Sequence, residues 1–173
     1  LSTLSNCYVK GRISESSISS FYADYCVFEE GSFSLRAFST SAYVGISNCV
    51  FYNCSSFHTD GNTSNSMENS IIWPSLNYTV EGNGEPGTFS YTLNSPFYGL
   101  GNISGEPLFK NTEMQNFALM PASPAIDSGD PLAEFDPDST RKDLGAFYFD
   151  QNGAYEPQIG IINDVPDDQG GSV

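Results

Sequence analysis

The sequence predicts an all-β solenoid, a parallel β-helix, and three observations predict it. First, four short segments share one pattern: Asn6-Cys7-Tyr8-Val9, Tyr25-Cys26-Val27-Phe28, Asn48-Cys49-Val50-Phe51 and Asn69-Ser70-Ile71-Ile72. Their starts lie 19, 23 and 21 residues apart, and a period near 20 is the mark of a solenoid. Second, each unit holds a short β-branched or aromatic stretch, set off by Ser, Asn, Gly and Asp clusters such as 14–20 and 55–66. Third, no window keeps the i, i+3, i+4 apolar spacing of a helix for long. A leucine-rich repeat would need Leu at fixed spacing, which these segments lack. A Ser-rich β-sandwich with chance internal similarity is the remaining alternative.

Stacking one coil per repeat brings equivalent residues about 4.8 Å apart in ladders. Asn6, Asn48 and Asn69 form an Asn ladder that Tyr25 interrupts. Cys7, Cys26, Cys49 and Ser70 form a ladder of small residues. Val9, Phe28, Phe51 and Ile72 form an apolar one. The repeated setting of three of the four cysteines points to buried free thiols, with Cys49–Cys54 as the local pair that a disulfide would join; the redox compartment stays open. Further along, Pro74 ends a strand because it cannot donate to a ladder. Phe89 to Thr92 alternates like another rung, 99–102 is a turn, and Phe117-Ala118-Leu119 reads as the last rung.

Later motifs carry a resemblance. Gly99-Leu100-Gly101-Asn102-Ile103, Pro107-Leu108-Phe109, Ser123-Pro124-Ala125-Ile126-Asp127-Ser128-Gly129 and Asp143-Leu144-Gly145-Ala146-Phe147-Tyr148 resemble the C-terminal end of bacterial right-handed parallel β-helix repeat proteins. The resemblance covers about residues 1–150. Glu106 and Ser128 depart from the usual residues of those motifs. Residues 162–171 resemble the start of an Ig-like module. The resemblance implies a right-handed β-helix, a secreted or cell-surface (extracellular) location, and a role as adhesin, stalk or polysaccharide-acting protein. The expected organisation is coils over 1–119, a C-terminal cap over 120–150, and a linker with the start of a further module over 151–173. Upstream coils and the downstream Ig-like domain are the expected neighbours in a longer chain.

Charge narrows the function. The 173 residues carry 6 Lys and Arg against 21 Asp and Glu, a net charge of −15. No basic footprint exists for nucleic acid or for anionic lipid, and no apolar run is long enough to insert in a membrane. Aromatics make up 14% of the chain, too many for an acidic disordered tail. Residues 101–173 carry 13 acids against 3 bases, and residues 1–100 carry 8 against 3. The acidity is therefore concentrated after the coils. An unpaired solenoid end invites edge pairing, so the proline- and charge-rich 120–150 segment is read as covering the last rung, while the first rung near Leu4 is left open. Asp127, Asp130, Asp136, Asp138 and Asp143 stand in loops, where flexible oxygen ligands suit Ca²⁺. The alternative for them is Asx turns and a pair with Arg141.

Catalytic residues do not converge in the sequence. His58 is the single histidine and sits in a polar loop with Asp60, without a nucleophile elbow, and one His with laddered Cys makes no zinc site. Asp24, Glu29, Glu30 and Glu68 are the acids near the repeated strands, and no pair at matched register is expected among them. A lyase would have Lys10, Arg12 and Arg36 to draw on. Exposed aromatics suit a polysaccharide or cell-surface glycan better: Tyr22, Tyr43, Tyr52, Trp73, Tyr78 and Tyr98 lie in or beside loops and strand edges, with Tyr52, Trp73, Tyr78 and Tyr98 the chosen candidates. Sequons at Asn53, Asn62, Asn77 and Asn102 reflect Asn- and Ser-rich loops. The expectation is a non-catalytic stalk, adhesin or glycan-contact module; the alternative is part of a polysaccharide lyase or glycoside hydrolase.

Overall fold

The computed structural model describes residues 2–37, 42–60, 63–81 and 87–153. The chain winds as a parallel β-solenoid. Its first rung is β1 (Ser2–Ser5), β2 (Tyr8–Lys10) and β3 (Ile13–Ile18). The second is β4 (Ser20–Asp24), β5 (Val27–Glu29) and β6 (Ser32–Ala37). The third is β7 (Ala42–Ser47), β8 (Val50–Tyr52) and β9 (Ser56–Asp60). In the fourth, the first two strands merge into β10 (Thr63–Trp73), followed by β11 (Asn77–Glu81). β12 (Thr88–Leu93) opens a fifth. Three full turns separate the first rung from the fourth, and every pairing between rungs is parallel.

Three rows of strands result. Row A is β1-β4-β7-β10-β12, row B is β2-β5-β8 with the end of β10, and row C is β3-β6-β9-β11. The turn between rows A and B is built from left-handed residues: Asn6, Tyr25, Asn48, Asn69 and Tyr91 all have φ between 45° and 52°. Asn tolerates this conformation better than most side chains, which is why the Asn ladder marks the corner. Tyr25 and Tyr91 accept the same strain at the same position. The next residue is small, and Cys7, Cys26 and Cys49 stack there as buried free thiols, with Sγ of Cys7 and Cys26 3.1 Å apart.

The interior is filled by in-register ladders. Leu4, Ala23, Ile46, Met67 and Phe89 come from row A. Val9, Phe28, Phe51 and Ile72 come from row B. Ile13, Phe33, Phe57 and Tyr78 come from row C. Phe33, Phe57 and Tyr78 stack with centroids 5.4 Å apart at 16–21°. Row C lies inside the Ser-rich stretches that the sequence presents as corners. There Phe33, Leu35 and Phe57 alternate with Ser34 and His58, so the polar residues are one face of a strand rather than a turn.

The C-terminal part departs from expectation in two ways. The terminal rung is covered by 94–103, not by 120–150. Phe97 packs on Phe89 and Tyr78, 4.9 and 5.3 Å between centroids, and Asn102 Nδ2 donates to the carbonyls of Phe89 and Phe97. The 107–149 segment lies along the flank of the solenoid. Phe117-Ala118-Leu119 belongs to β14 (Asn116–Leu119), which pairs antiparallel with β13 (Phe109–Asn111) instead of adding a rung. Phe117, Leu119, Ala125, Leu144 and Ala146 cover the outward ladder of row B: Tyr8, Val27, Val50, Ile71 and Leu93. Burying this ladder requires non-alternating strands such as Val27-Phe28 and Ile71-Ile72, apolar on both faces. Gly145 shows how close the two layers lie. Its φ is +96°, its N–H donates to Asn69 O at 2.8 Å, and a Cβ there would stand 2.8 Å from Ile71 Cδ1.

Candidate functional site: an acceptor-lined cleft beside an open tyrosine face

Row A keeps its outer face open, in contrast to row B. Its outward columns are Thr3, Tyr22, Gly45, Ser66 and Thr88, and beside them Ser5, Asp24, Ser47, Glu68 and Ser90. Tyr22 and Tyr43 pack at 5.5 Å and 40° above Gly45, where a Cβ would sit 2.7 Å from the Tyr43 ring. The absent side chain at Gly45 is what lets two rings lie together on the surface. The Tyr43 and Ser66 hydroxyls share a hydrogen bond that fixes the pair.

Where row A turns into the Asn corner, the sheet edge and residues 133–148 enclose a cleft of about 610 Å³. Asp24, Ser47 and Glu68 line it from row A, Asn6, Tyr25 and Asn48 from the corner, and Phe135, Lys142 and Tyr148 from the 133–148 stretch. Asp24 Oδ1 accepts from Ser47 Oγ at 2.9 Å and from Asn48 Nδ2 at 2.8 Å. Asn48 is 8% exposed, and its Oδ1 has no donor. Lys142 Nζ donates to Tyr25 OH at 2.7 Å and to Asp136 Oδ1 at 3.3 Å, and lies 5.1 Å from the Tyr25 ring centre. Burial works against the Lys142 ammonium, but the Tyr25 hydroxyl and the Asp136 carboxylate outweigh it and raise its pKa. Burial also raises the Asp136 carboxyl, opposed by the Asp143 N–H and by Lys142. Asp143 is pushed up to about 7, chiefly by burial, although the N–H groups of Asp127 and Phe149 favour its ionised form.

The sequence-derived candidates fare unevenly. Tyr78 is part of the interior stack. Tyr52 is roofed by the flank, with Phe109 and Phe117 against its ring and Thr112 Oγ1 accepting from its hydroxyl. Neither presents a ring to a ligand, because Tyr78 points inward and Tyr52 lies under the flank segment. Trp73 is half-buried at the end of β10, and Tyr98 is fully exposed on the 94–103 cap. Among the described residues no three His, Cys, Asp or Glu side chains gather as a metal-holding group. Most oxygens of the five Asp residues are used locally, although Asp127 Oδ1 is buried without a hydrogen-bond partner: Asp130 accepts from Leu132 N, and Asp136 from Asp143 N and Lys142. Asp138 accepts from Thr140 and Gln151 N, Asp143 from Asp127 N and Phe149 N, and Asp127 from Gln151 Nε2. Arg141 donates to Gly129 O rather than to a carboxylate.

Asp24 and Glu68 were in reach of the sequence. Their separation equals two repeats, and the structure places them in one column with Ser47 between, two rungs or about 9.6 Å apart. The two acids thus share a register column that was not expected from the sequence, with the Ser47 rung between them. Glu29 is instead buried against the Tyr8 hydroxyl, and Lys10 bridges Glu29 and Glu30 at 3.6 and 3.0 Å. His58 Nδ1 is hydrogen-bonded to Thr79 Oγ1 on row C. Among the described residues no helix is long and apolar enough to cross a membrane. Compared with protein-family models, curated proteins and solved structures, the chain matches none.

Proposed function

We propose that this chain is a non-catalytic β-solenoid module of a secreted or cell-surface protein, a rigid stalk that contacts glycan along row A. The observation that carries the reading is the Tyr22–Tyr43 pair, set on an open face of hydroxyl-bearing residues and leading into the cleft. Aromatic rings with one polar end take up the apolar face of a sugar, and Ser, Thr and Asn serve its hydroxyls. A net charge of −15 favours neutral or cationic glycans over acidic ones. In this reading the singly paired strands β1, β2 and β3 seat a preceding coil of the same protein. The Ig-like resemblance at 162–171 lies outside the described residues, and a following module stays part of the proposal.

One observation favours a second reading, an inverting glycoside hydrolase: Asp24 and Glu68 stand two rungs apart, close to the 6.5–9.5 Å that separates the carboxyls of such enzymes. Glu68 is exposed, and Asp24 is held by Ser47 and Asn48, so neither has the apolar wall of a general acid. A glycan array run beside a reducing-sugar assay tests both. Binding that falls about tenfold in Tyr22→Ala, without sugar release, is the expected result. Release of reducing ends by the wild-type chain, lost in Glu68→Gln, would replace the module with the hydrolase.

A further inference from the structure

We infer that the corner cleft is a subsite for the ammonium group of an unsubstituted amino sugar, selecting glucosamine-type glycans over N-acetylated and uronate ones. The inference rests on the glycan-contact reading and narrows it to a chemical class.

The polar groups left open in the cleft are acceptors. Asp24, Glu68 and Glu134 line it, and among the described residues no base pairs with any of the three. Lys142, the one cation of the lining, is already committed to Asp136 and Tyr25. Asn48, a residue of the cleft lining, adds a buried carbonyl oxygen that lacks a donor, and its amide nitrogen donates to Asp24. A buried acceptor without a partner is destabilising, so a ligand that supplies a donor to it gains. An ammonium supplies three donors and a charge, and hydrogen bonds to ionised groups are about twice as strong as neutral ones. An acetamide in the same place offers one N–H and brings a carbonyl toward carboxylates; a uronate brings like charge.

The geometry links this subsite to the open face. Tyr22 and Asp24 are two residues apart on β4, so their side chains emerge on the same face roughly 7 Å apart. A sugar on the tyrosine pair therefore places its neighbour at the Asp24–Ser47–Glu68 column. Phe135, 67% exposed, adds an apolar surface from the 133–148 stretch.

The test is calorimetric titration of the full chain with three oligosaccharides of equal length: glucosamine, N-acetylglucosamine and galacturonate. The expected result is a preference of about tenfold or more for the glucosamine oligomer, weakening at about 0.5 M salt. Glu68→Gln should remove that preference. Asp24→Asn should do the same if it folds; Glu68 is exposed, so its variant carries the test without that risk. Equal binding of glucosamine and N-acetylglucosamine oligomers, both lost in Tyr22→Ala, overturns the ammonium subsite and keeps the glycan-contact reading. An unchanged preference in Glu68→Gln also overturns the subsite. Binding of none of the three overturns the subsite, and an empty glycan array beside it overturns the broader reading as well.

Discussion

Rows A and B are built from the same repeat and differ in what their outer faces show. Row A points Thr, Ser, Tyr, Asp and Glu outward and stays open; row B points Tyr8, Val27, Val50, Ile71 and Leu93 outward and is roofed by 107–149. The lesson is that one solenoid supports two kinds of surface by changing only the outward phase of its strands. An alternating strand leaves a face for ligands, and a strand apolar in both phases recruits a second layer. That layer also shapes the function, because its 133–148 stretch turns the corner of row A from a flat edge into a cleft.

The sharpest way to break the comparison is to exchange polarity between the faces. Ile71 is fully buried between sheet and flank. Ile71→Asp should destabilise the fold by about 3–5 kcal/mol, enough to unfold a marginal domain. Thr88→Asp, exposed in the outward column of row A, should change stability by less than about 0.5 kcal/mol. Urea midpoints of the two variants measure the contrast. Equal losses would mean that row A is covered as well.

A smaller effect comes from spacing. Gly145→Ala places a methyl 2.8 Å from Ile71 Cδ1 at a φ of +96°, and a cost of about 1–3 kcal/mol follows. Because the flank carries the clash, limited proteolysis should cut within 120–150 before the rungs. Cleavage in the rungs first would show that the flank is no separable layer.

The mildest probe is pH. The Asp143 carboxyl titrates near 7 in the fold against 3.8 for an unperturbed carboxyl. A raised folded value means that the protonated form is the one the fold favours. Its contribution is complete below about pH 3.8 and is lost as pH rises through 7. Melting temperature should therefore fall from pH 5 until it levels off above pH 7, with a single-group ceiling of about 2–3 kcal/mol over that window. Asp143→Asn should flatten that part of the profile. An unchanged slope in the variant would assign the dependence to the general negative charge instead.

The repeat was legible because its corner imposes a chemical demand. A left-handed residue followed by a small one writes Asn-Cys into the sequence, and the ladders of Cys and of Val9, Phe28, Phe51 and Ile72 follow from that register. The flank was not legible as such, since 107–149 does not repeat and its own pattern names no partner. Its signal lay in the strands it covers: Tyr8-Val9, Val27-Phe28, Val50-Phe51 and Ile71-Ile72 are apolar in both phases, and one phase needs a cover outside the coil. The site was half legible for the same reason. Tyr22 and Tyr43 were among the aromatic candidates, but Tyr52 looks equally available until the flank is known to roof it. The grouping of Asp127 to Asp143 suggested a cation, yet backbone N–H groups take most of their oxygens.

A nuclear Overhauser experiment on a methyl-labelled chain reads the placement of the flank against row B directly. The Ile71 δ1 methyl should show strong cross-peaks to the Gly145 Hα protons and to a Leu144 methyl group. Cross-peaks from Leu144 to Phe89 and Phe97 instead, with none to Ile71, would put the segment over the terminal rung and contradict the two-face architecture.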